Sequence, residues 1–327
     1  MLRAASIGLG WWSDELAKGI HGRSSEIAIT GCYSRSPDKR RAFADRFGAR
    51  MFESYEAVLA DPSIDAVILT TPHSQHGRHI CAAAEAGKHV FVEKPLDVAV
   101  EAARPAIDAC RRRKVVLAVG HNRRFSAVAR ELQRLLQAGA FGTLLHAEAN
   151  FSAPGALSYT TERWRAQRRE SPGGAIAALG IHMIDLLTWM LGRVVRVRAL
   201  ALHRAVPVDI DDTTSTLFEF SSGATGYLGT LFACPRVNYL NIYGTAANAY
   251  GRVDEDRLEL ERANLGRERL PIEPVDTIHA ELKAFAEACA GGAAYPIEPE
   301  SALHNVAVME AMVASAARAG APVSPAA

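Results

Sequence analysis

Two short stretches carry residue types at a spacing that chemistry can use. The first is Gly8-Leu9-Gly10-Trp11-Trp12-Ser13, which sits between an apolar run and a helix-length segment. A turn without side chains in that setting lets backbone amides approach a phosphate at the positive end of a helix. Ser13 stands where a third glycine is usual, and it is small enough to keep the helix close to the strand. The second stretch is Glu93-Lys94-Pro95, directly after the apolar run His89 to Val92. A lysine at the carboxyl edge of a parallel sheet lies where ligands collect. Partly withdrawn from water and facing a positively charged ligand, such a lysine has a lowered pKa and can exchange a proton with a hydroxyl or carbonyl oxygen.

The glycine turn implies a dinucleotide, and the end of the second strand says which one. A domain that prefers NAD offers Asp or Glu to the ribose hydroxyls about 20 residues after the turn. Here the strand ends in Cys32-Tyr33-Ser34-Arg35. The Ser34 hydroxyl and the Arg35 guanidinium can donate to a 2′-phosphate, and Lys39 lies one helical turn further on. NADP(H) is the expected cofactor, with NAD(H), held through backbone contacts, as the alternative.

These residues need a scaffold, and the alternation of short apolar runs with amphipathic segments supplies one. Strands are predicted at Ala4 to Leu9, Ile27 to Tyr33, Ala66 to Leu69, His89 to Val92 and Val115 to Val119. Helices are predicted after Ser36-Pro37 as far as Gly48, from His76 to Ala86 with Gly87 closing it, and along a long segment to about Arg113. This is the pattern of a doubly wound α/β Rossmann domain over residues 1–121. Beyond it the strands become consecutive: Thr143 to Phe151, Val194 to Arg204, Thr213 to Phe220, Thr225 to Ala233 and Tyr239 to Tyr243. Ser221-Ser222-Gly223 forms a hairpin turn between two of them. Helices are expected at Gly174 to Leu191, Thr277 to Ala290 and Pro299 to Arg318, with a frayed tail after Ala321. Residues 122–327 therefore read as an α+β domain.

The combination Thr71-Pro72-His73-Ser74-Gln75-His76, then Ala86-Gly87-Lys88-His89-Val90 leading into Glu93-Lys94-Pro95, resembles the Gfo/Idh/MocA family of oxidoreductases. Gly8-Leu9-Gly10, Gly120-His121-Asn122-Arg123-Arg124-Phe125, Trp164-Arg165, and Gly173-Gly174 through Gly180-Ile181-His182-Met183-Ile184-Asp185 fall in the family's order. The resemblance implies an N-terminal Rossmann domain and a second domain with a large, mostly antiparallel open sheet, often used to build homodimers or homotetramers. It implies that Lys94 touches both the nicotinamide ribose and the substrate oxygen, and that His182 takes the second catalytic position. Gly8, Leu9, Gly10, Trp11, Trp12, Ser34, Arg35, Lys39, Thr71, Pro72, His73, His76, Glu93, Lys94, Asn122, Trp164 and Arg165 are then the cofactor's contacts. Lys94, Arg123, Tyr159, Arg165 and His182 would meet the substrate. One position departs from the pattern. Family dehydrogenases of sugars and inositols commonly carry Asp four residues before this histidine, and this chain has Ala178, which leaves room for a less hydroxylated or bulkier substrate. Asp185 looks structural by the same comparison.

The composition closes off other classes. Lys plus Arg total 37 against 36 for Asp plus Glu, so no surplus field exists to hold nucleic acid or an anionic membrane. The basic run Arg111 to Lys114 ends a helix, where cations suit the dipole. Five irregularly spaced cysteines give neither a zinc pattern nor a disulfide framework, and no metal is expected. No apolar run reaches the roughly 18 residues of a membrane span, and the chain begins without a leader pattern, so a cytoplasmic location is expected. Arg123, Arg124, Arg163, Arg165, Arg168 and Arg169 crowd the expected cleft with guanidinium groups, which would suit an acidic substrate. The reading is an NAD(P)-dependent dehydrogenase or reductase acting on a hydroxyl or carbonyl carbon of a small, cyclic or sugar-like molecule. The alternative is a cofactor-sensing regulatory protein on the same fold, without turnover.

Overall fold

The computed structural model describes residues 1–326. The chain forms two compact units: Met1–Asn122 with Asp276–Leu303, and Arg123–Val275 with the segment from His304 onward.

The first unit runs β1 (Leu2–Ile7), α1 (Trp11–Ile20), β2 (Ile27–Tyr33), α2 (Pro37–Phe47), β3 (Arg50–Met51), α3 (Tyr55–Ala60), β4 (Ala66–Leu69), α4 (His76–Glu85), β5 (His89–Glu93), α5 (Val100–Arg113) and β6 (Leu117–Gly120). The sheet order is β3-β2-β1-β4-β5-β6, and every pair is parallel. Its central strands read as continuous apolar runs because helices cover both faces; all four residues of β4 are buried. The order turns back between β1 and β4, which makes the carboxyl ends of those strands the switch point where open α/β sheets bind ligands. Local signals behave as expected. The Ser36 hydroxyl accepts from the Lys39 amide, Pro37 opens α2, and Gly48 closes it in the left-handed region at φ 69°. The two-residue β3 and the six-residue α3 had no periodic signal long enough to be found.

The second unit contributes α6 (Ala127–Gln137), β7 (Leu144–Ser152), a π-helical turn at Ile176–Gly180, α7 (Ile181–Leu191), β8 (Val194–Leu202), β9 (Thr213–Phe220), β10 (Thr225–Leu231), β11 (Val237–Gly244), β12 (Ala247–Arg252), β13 (Arg257–Arg262) and β14 (Gly266–Leu270). They form one eight-stranded sheet, β14-β13-β12-β11-β7-β10-β9-β8. All its pairs are antiparallel except β7 with β10, because β7 enters between two strands that come much later in the chain. Along β7, Ala147, Ala149 and Phe151 are buried while the intervening residues are only part-covered. The hairpin at Ser221-Ser222-Gly223 has Gly223 at φ 87°, as its sequence requires.

The last elements are α8 (Thr277–Cys289) and α9 (Pro299–Ala316). Although α8 follows the long sheet in sequence, it belongs to the first unit, where Phe285 packs on Phe91 with ring centroids 5.7 Å apart and His279 meets the Gly19 carbonyl at 3.0 Å. A division at residue 121 into two consecutive domains misses this return, because chain order does not reveal which sheet a late amphipathic helix covers. The tail is also tied down further than expected. Val323 pairs with Val197 through two backbone hydrogen bonds of 2.8 and 3.0 Å, so the chain is anchored beyond Ala321.

Candidate active site

Gly8 ends the first strand–helix turn at φ 91°, and a Cβ placed there would stand 2.8 Å from the Thr71 amide nitrogen. Only glycine fits. Gly10 is extended, and the space where its Cβ would project is open for 4 Å. Ser13, 1% exposed, donates to the Gly10 carbonyl at 2.6 Å and accepts from the Gly10 amide at 2.8 Å. The serine that replaces a glycine thus braces the turn. No side chain caps the amino end of α1, so its first-turn amides remain for an anionic ligand. Trp11 stands exposed beside Trp12, with ring centroids 5.3 Å apart.

At the end of β2, Ser34 is buried; its hydroxyl accepts from the Ser36 amide at 3.2 Å and donates to the Ser36 carbonyl over a longer 3.5 Å. Arg40 is consumed locally: its guanidinium donates to the Ser34 carbonyl at 2.8 Å and to Glu53 at 2.8 Å. Arg35 and Lys39 are exposed, and among the described residues neither has a carboxylate partner. Uncapped amides, an open glycine and two exposed cations fit a dinucleotide and its phosphates.

Across the switch point, the loop after β4 holds Thr71, buried, with its hydroxyl 3.2 Å from His79 Nδ1. His73 is also buried, its ring 5.8 Å from that of His76. His76 lies fully behind this loop. Its Nε2 is 3.0 Å from the Thr71 carbonyl and its Nδ1 2.8 Å from the Pro95 carbonyl, so its ring is spent on the backbone rather than turned to a ligand. Glu93 ends β5, buried over Gly120; a Cβ at 120 would meet Glu93 Oε1 at 2.8 Å, so the glycine gives this carboxylate its room. Lys94 follows, half-buried, through a cis peptide bond to Pro95. Asn122, buried, donates through Nδ2 to Thr277 at 3.3 Å, while its Oδ1 meets no partner among the described residues. The first unit therefore gathers the Gly8 turn, the Thr71 loop and the Lys94 turn at the carboxyl ends of β1, β4 and β5. Asp97, which the sequence reading passed over, is 1% exposed there and accepts from the Gly77 and Val98 amides at 2.8 and 2.6 Å.

The remaining expected residues belong to the second unit. His182 lies buried on the first turn of α7, its ring centroid 5.8 Å from that of Phe151. The π-helical turn precedes it and carries Ala178, which packs with Leu179 and Ala233 against Ala156, Tyr159, Val206, Val208 and Phe232. Tyr159 is 7% exposed in this apolar cluster, and burial raises its pKa. The guanidinium groups are less available than their number suggested. Arg124 is locked to Asp185 by bonds of 2.7 and 2.9 Å, with Asn305 also donating to Asp185 at 2.8 Å. Arg168 is paired with Asp209 and Asp211. Arg123 pairs with Asp254 at 3.0 Å and lies over Phe151, and Arg236, absent from the sequence expectation, binds the same carboxylate at 2.6 Å. Arg163 stacks on Tyr159, and Arg165, half-buried, stacks 4.1 Å above the Trp164 ring centroid. An abundance of arginines in sequence thus became mostly internal pairing, because acidic partners far along the chain, on α7 and in the turns that flank the strands, reach them.

Among the described residues no cluster of His, Cys, Asp or Glu could hold a metal ion, and no helix is long and apolar enough to cross a membrane. The chain is 26% identical over 304 residues to 1,5-anhydro-D-fructose reductase of Ensifer adhaerens, which covers 90% of each sequence. It is 28% identical to an NADP(+)-dependent D-xylose 1-dehydrogenase of Haloferax volcanii, over 90% of this chain and 91% of the relative. A crystal structure from Desulfitobacterium hafniense, assigned provisionally as an NADPH-dependent oxidoreductase, superposes with a TM-score of 0.92 at 31% identity, covering 99% of this chain and 97% of the other. The profile of an oxidoreductase family with an NAD-binding Rossmann fold matches residues 2–121, and that of the GFO/IDH/MocA C-terminal domain matches residues 129–250. This chain belongs to the Gfo/Idh/MocA family of oxidoreductases.

Proposed function

We propose that the chain is an NADP(H)-dependent dehydrogenase or reductase working at a hydroxyl or carbonyl carbon of a small, cyclic or sugar-like molecule, with Lys94 as the proton-transfer group. The observation that carries this reading is the half-buried Lys94 at the carboxyl end of β5, on the same sheet edge as the uncapped Gly8–Gly10 turn. The nicotinamide, when bound, supplies the redox chemistry. The chain's own work is to hold it and to move a proton. Amides at the start of α1 take the pyrophosphate, and Ser34, Arg35 and Lys39 take a 2′-phosphate. Lys94 accepts the proton from the substrate hydroxyl in oxidation and returns it in reduction. His182 assists as the second titratable group. Names of relatives support the substrate class, since they include a sugar reductase and a sugar dehydrogenase. Ala178 and its apolar neighbours favour a substrate with fewer hydroxyls on that side. Leu145, Val195, Leu200, Leu202, Leu217 and Val237 are exposed apolar residues on strands of the large sheet, and a second copy of the chain in a homodimer or homotetramer would cover them. Five free cysteines suit a cytoplasmic setting.

The test is a panel of sugars, inositols, dihydrodiols and hydroxy acids offered with NADP⁺, followed by absorbance of the reduced cofactor. A turnover is expected that falls at least about 100-fold in Lys94→Ala while NADPH binding persists. Activity that survives in the variant removes Lys94 from the mechanism. Tight cofactor binding with no turnover across the panel defeats the enzymatic reading.

A further inference from the structure

His76 is entirely buried at the start of α4, and both of its ring nitrogens lie at hydrogen-bond distance from backbone carbonyl oxygens, Thr71 at 3.0 Å and Pro95 at 2.8 Å. A carbonyl oxygen can only accept, so each nitrogen must carry a hydrogen for both contacts to be bonds. A neutral imidazole has one N–H. It would set a bare lone pair against a carbonyl oxygen in a place closed to water, which is costly. We infer that His76 is an imidazolium in the folded protein, a charged cross-link that positions the Lys94-Pro95 turn against the loop after β4.

The surroundings suit a buried cation. Asp97, 1% exposed, accepts from the amide of Gly77, the residue next to His76. Burial pushes the Asp97 carboxyl above its ordinary range, and hydrogen bonds from the Gly77, Val98 and Ala99 amides together with the His76 charge oppose that push. Other titratable groups near the ring include His73, at 5.8 Å between ring centroids, and His79 on the same helix. Burial lowers the His79 pKa to about 4, so it is neutral at pH 7 and adds no second cation. Gly77 is part of the same device: a Cβ there would meet the Ala102 carbonyl at 2.5 Å and Asp97 Oδ2 at 3.1 Å. Thr71 and Pro95 belong to the loops that follow two neighbouring strands, and His76 fixes their separation. The ring is held to the carbonyl of Pro95, the residue after Lys94, and a like charge on that turn favours the neutral amine that can accept a proton. This last consequence rests on the role proposed for Lys94; the charge state of the ring does not.

Two measurements on the cofactor-free full chain test the inference without turnover. In ¹⁵N-histidine NMR, one ring is expected to keep both nitrogens protonated well above the range in which an ordinary histidine loses its proton. That signal should vanish in His76→Gln, and in Asp97→Asn its titration should move down measurably, because a countercharge is lost. A His76 ring with one bare nitrogen at neutral pH overturns the inference. In the second, ¹³C reductive methylation reports the Lys94 amine, assigned by its loss in Lys94→Ala. His76→Gln should raise its titration midpoint by about half a unit or more; an unchanged midpoint removes the effect on Lys94. Should Lys94→Ala prove active, the proposed function fails while both readouts keep their meaning.

Discussion

At the scale of single residues, the cofactor choice turns on one exposed guanidinium. Arg35 has no carboxylate partner among the described residues, so its charge is unspent, whereas Arg40 nearby is held by Ser34 and Glu53. Arg35→Ala is expected to weaken NADPH binding by about tenfold or more, ~1.4 kcal/mol, and to leave NADH binding nearly unchanged. Isothermal titration with both cofactors checks this, and equal losses would show that Arg35 does not read the 2′-phosphate. In wild type, NADH binding tenfold tighter than NADPH would reverse the assignment itself. Arg124 makes the contrasting case of a guanidinium that works for the fold. It is 6% exposed and doubly bonded to Asp185, which is fully buried. Arg124→Ala deprives that carboxylate of its countercharge and should cost about 3–5 kcal/mol, read from the urea midpoint. A loss below about 1 kcal/mol would mean that the other partners of Asp185, Asn305 among them, can hold it in place.

At the scale of elements, two features decide whether the site is built. The turn into α1 needs the left-handed Gly8, because both its φ and the approach of Thr71 exclude a side chain. Gly8→Ala is expected to lose about 1–3 kcal/mol of stability and to abolish dinucleotide binding. Thermal denaturation with and without NADPH separates the two effects, and a variant that still gains stability from NADPH would contradict the assignment. The second feature is the chain end. Val323 adds two backbone hydrogen bonds to Val197 at the edge strand β8. Truncation after Ala321 removes both and should lower stability by about 1–2 kcal/mol, an effect that a frayed tail would not produce.

At the scale of the whole molecule, acid is expected to weaken both units in one pH window. Burial lowers the pKa of His79, in the first unit, and of His304, in the second, from 6.5 to about 4. His304 makes the reason visible, because its Nε2 accepts from the Val194 amide at 3.0 Å, a bond that a protonated ring cannot accept. Each histidine is neutral when folded and binds a proton once unfolded below about pH 6.5. Their contribution is therefore fully present above about pH 6.5 and is lost as pH falls toward 4, with unfolding taking up about two protons in between. Melting curves from pH 7.5 to 4.5 should show the decline, and His304→Gln should flatten it by about one proton. Parallel curves for variant and wild type would exclude His304 as a cause.

Much of the first unit was legible because its signals are local. Gly8, the Ser36-Pro37 cap, the apolar run Ala66 to Leu69 and the place of Lys94 after a strand all act within a few residues, and the structure keeps each of them. In the second unit β12, β13 and β14 escaped notice: β13 alternates Leu258 and Leu260 with Arg and Glu over only six residues, and β14 is almost wholly exposed. Their strand character comes from pairing with neighbours. By itself the sequence determined the Rossmann order, the glycine turn, the position of Lys94 in the chain and membership of an oxidoreductase family. Only the tertiary structure decided which polar groups are spent. It showed that α8 returns to the first unit, that Arg124 and Arg168 are paired with distant carboxylates, and that His76 reaches the Pro95 carbonyl 19 residues along the chain. Hydrogen bonds and ion pairs form between groups that meet in space, and a residue's partners lie wherever the fold brings the chain back.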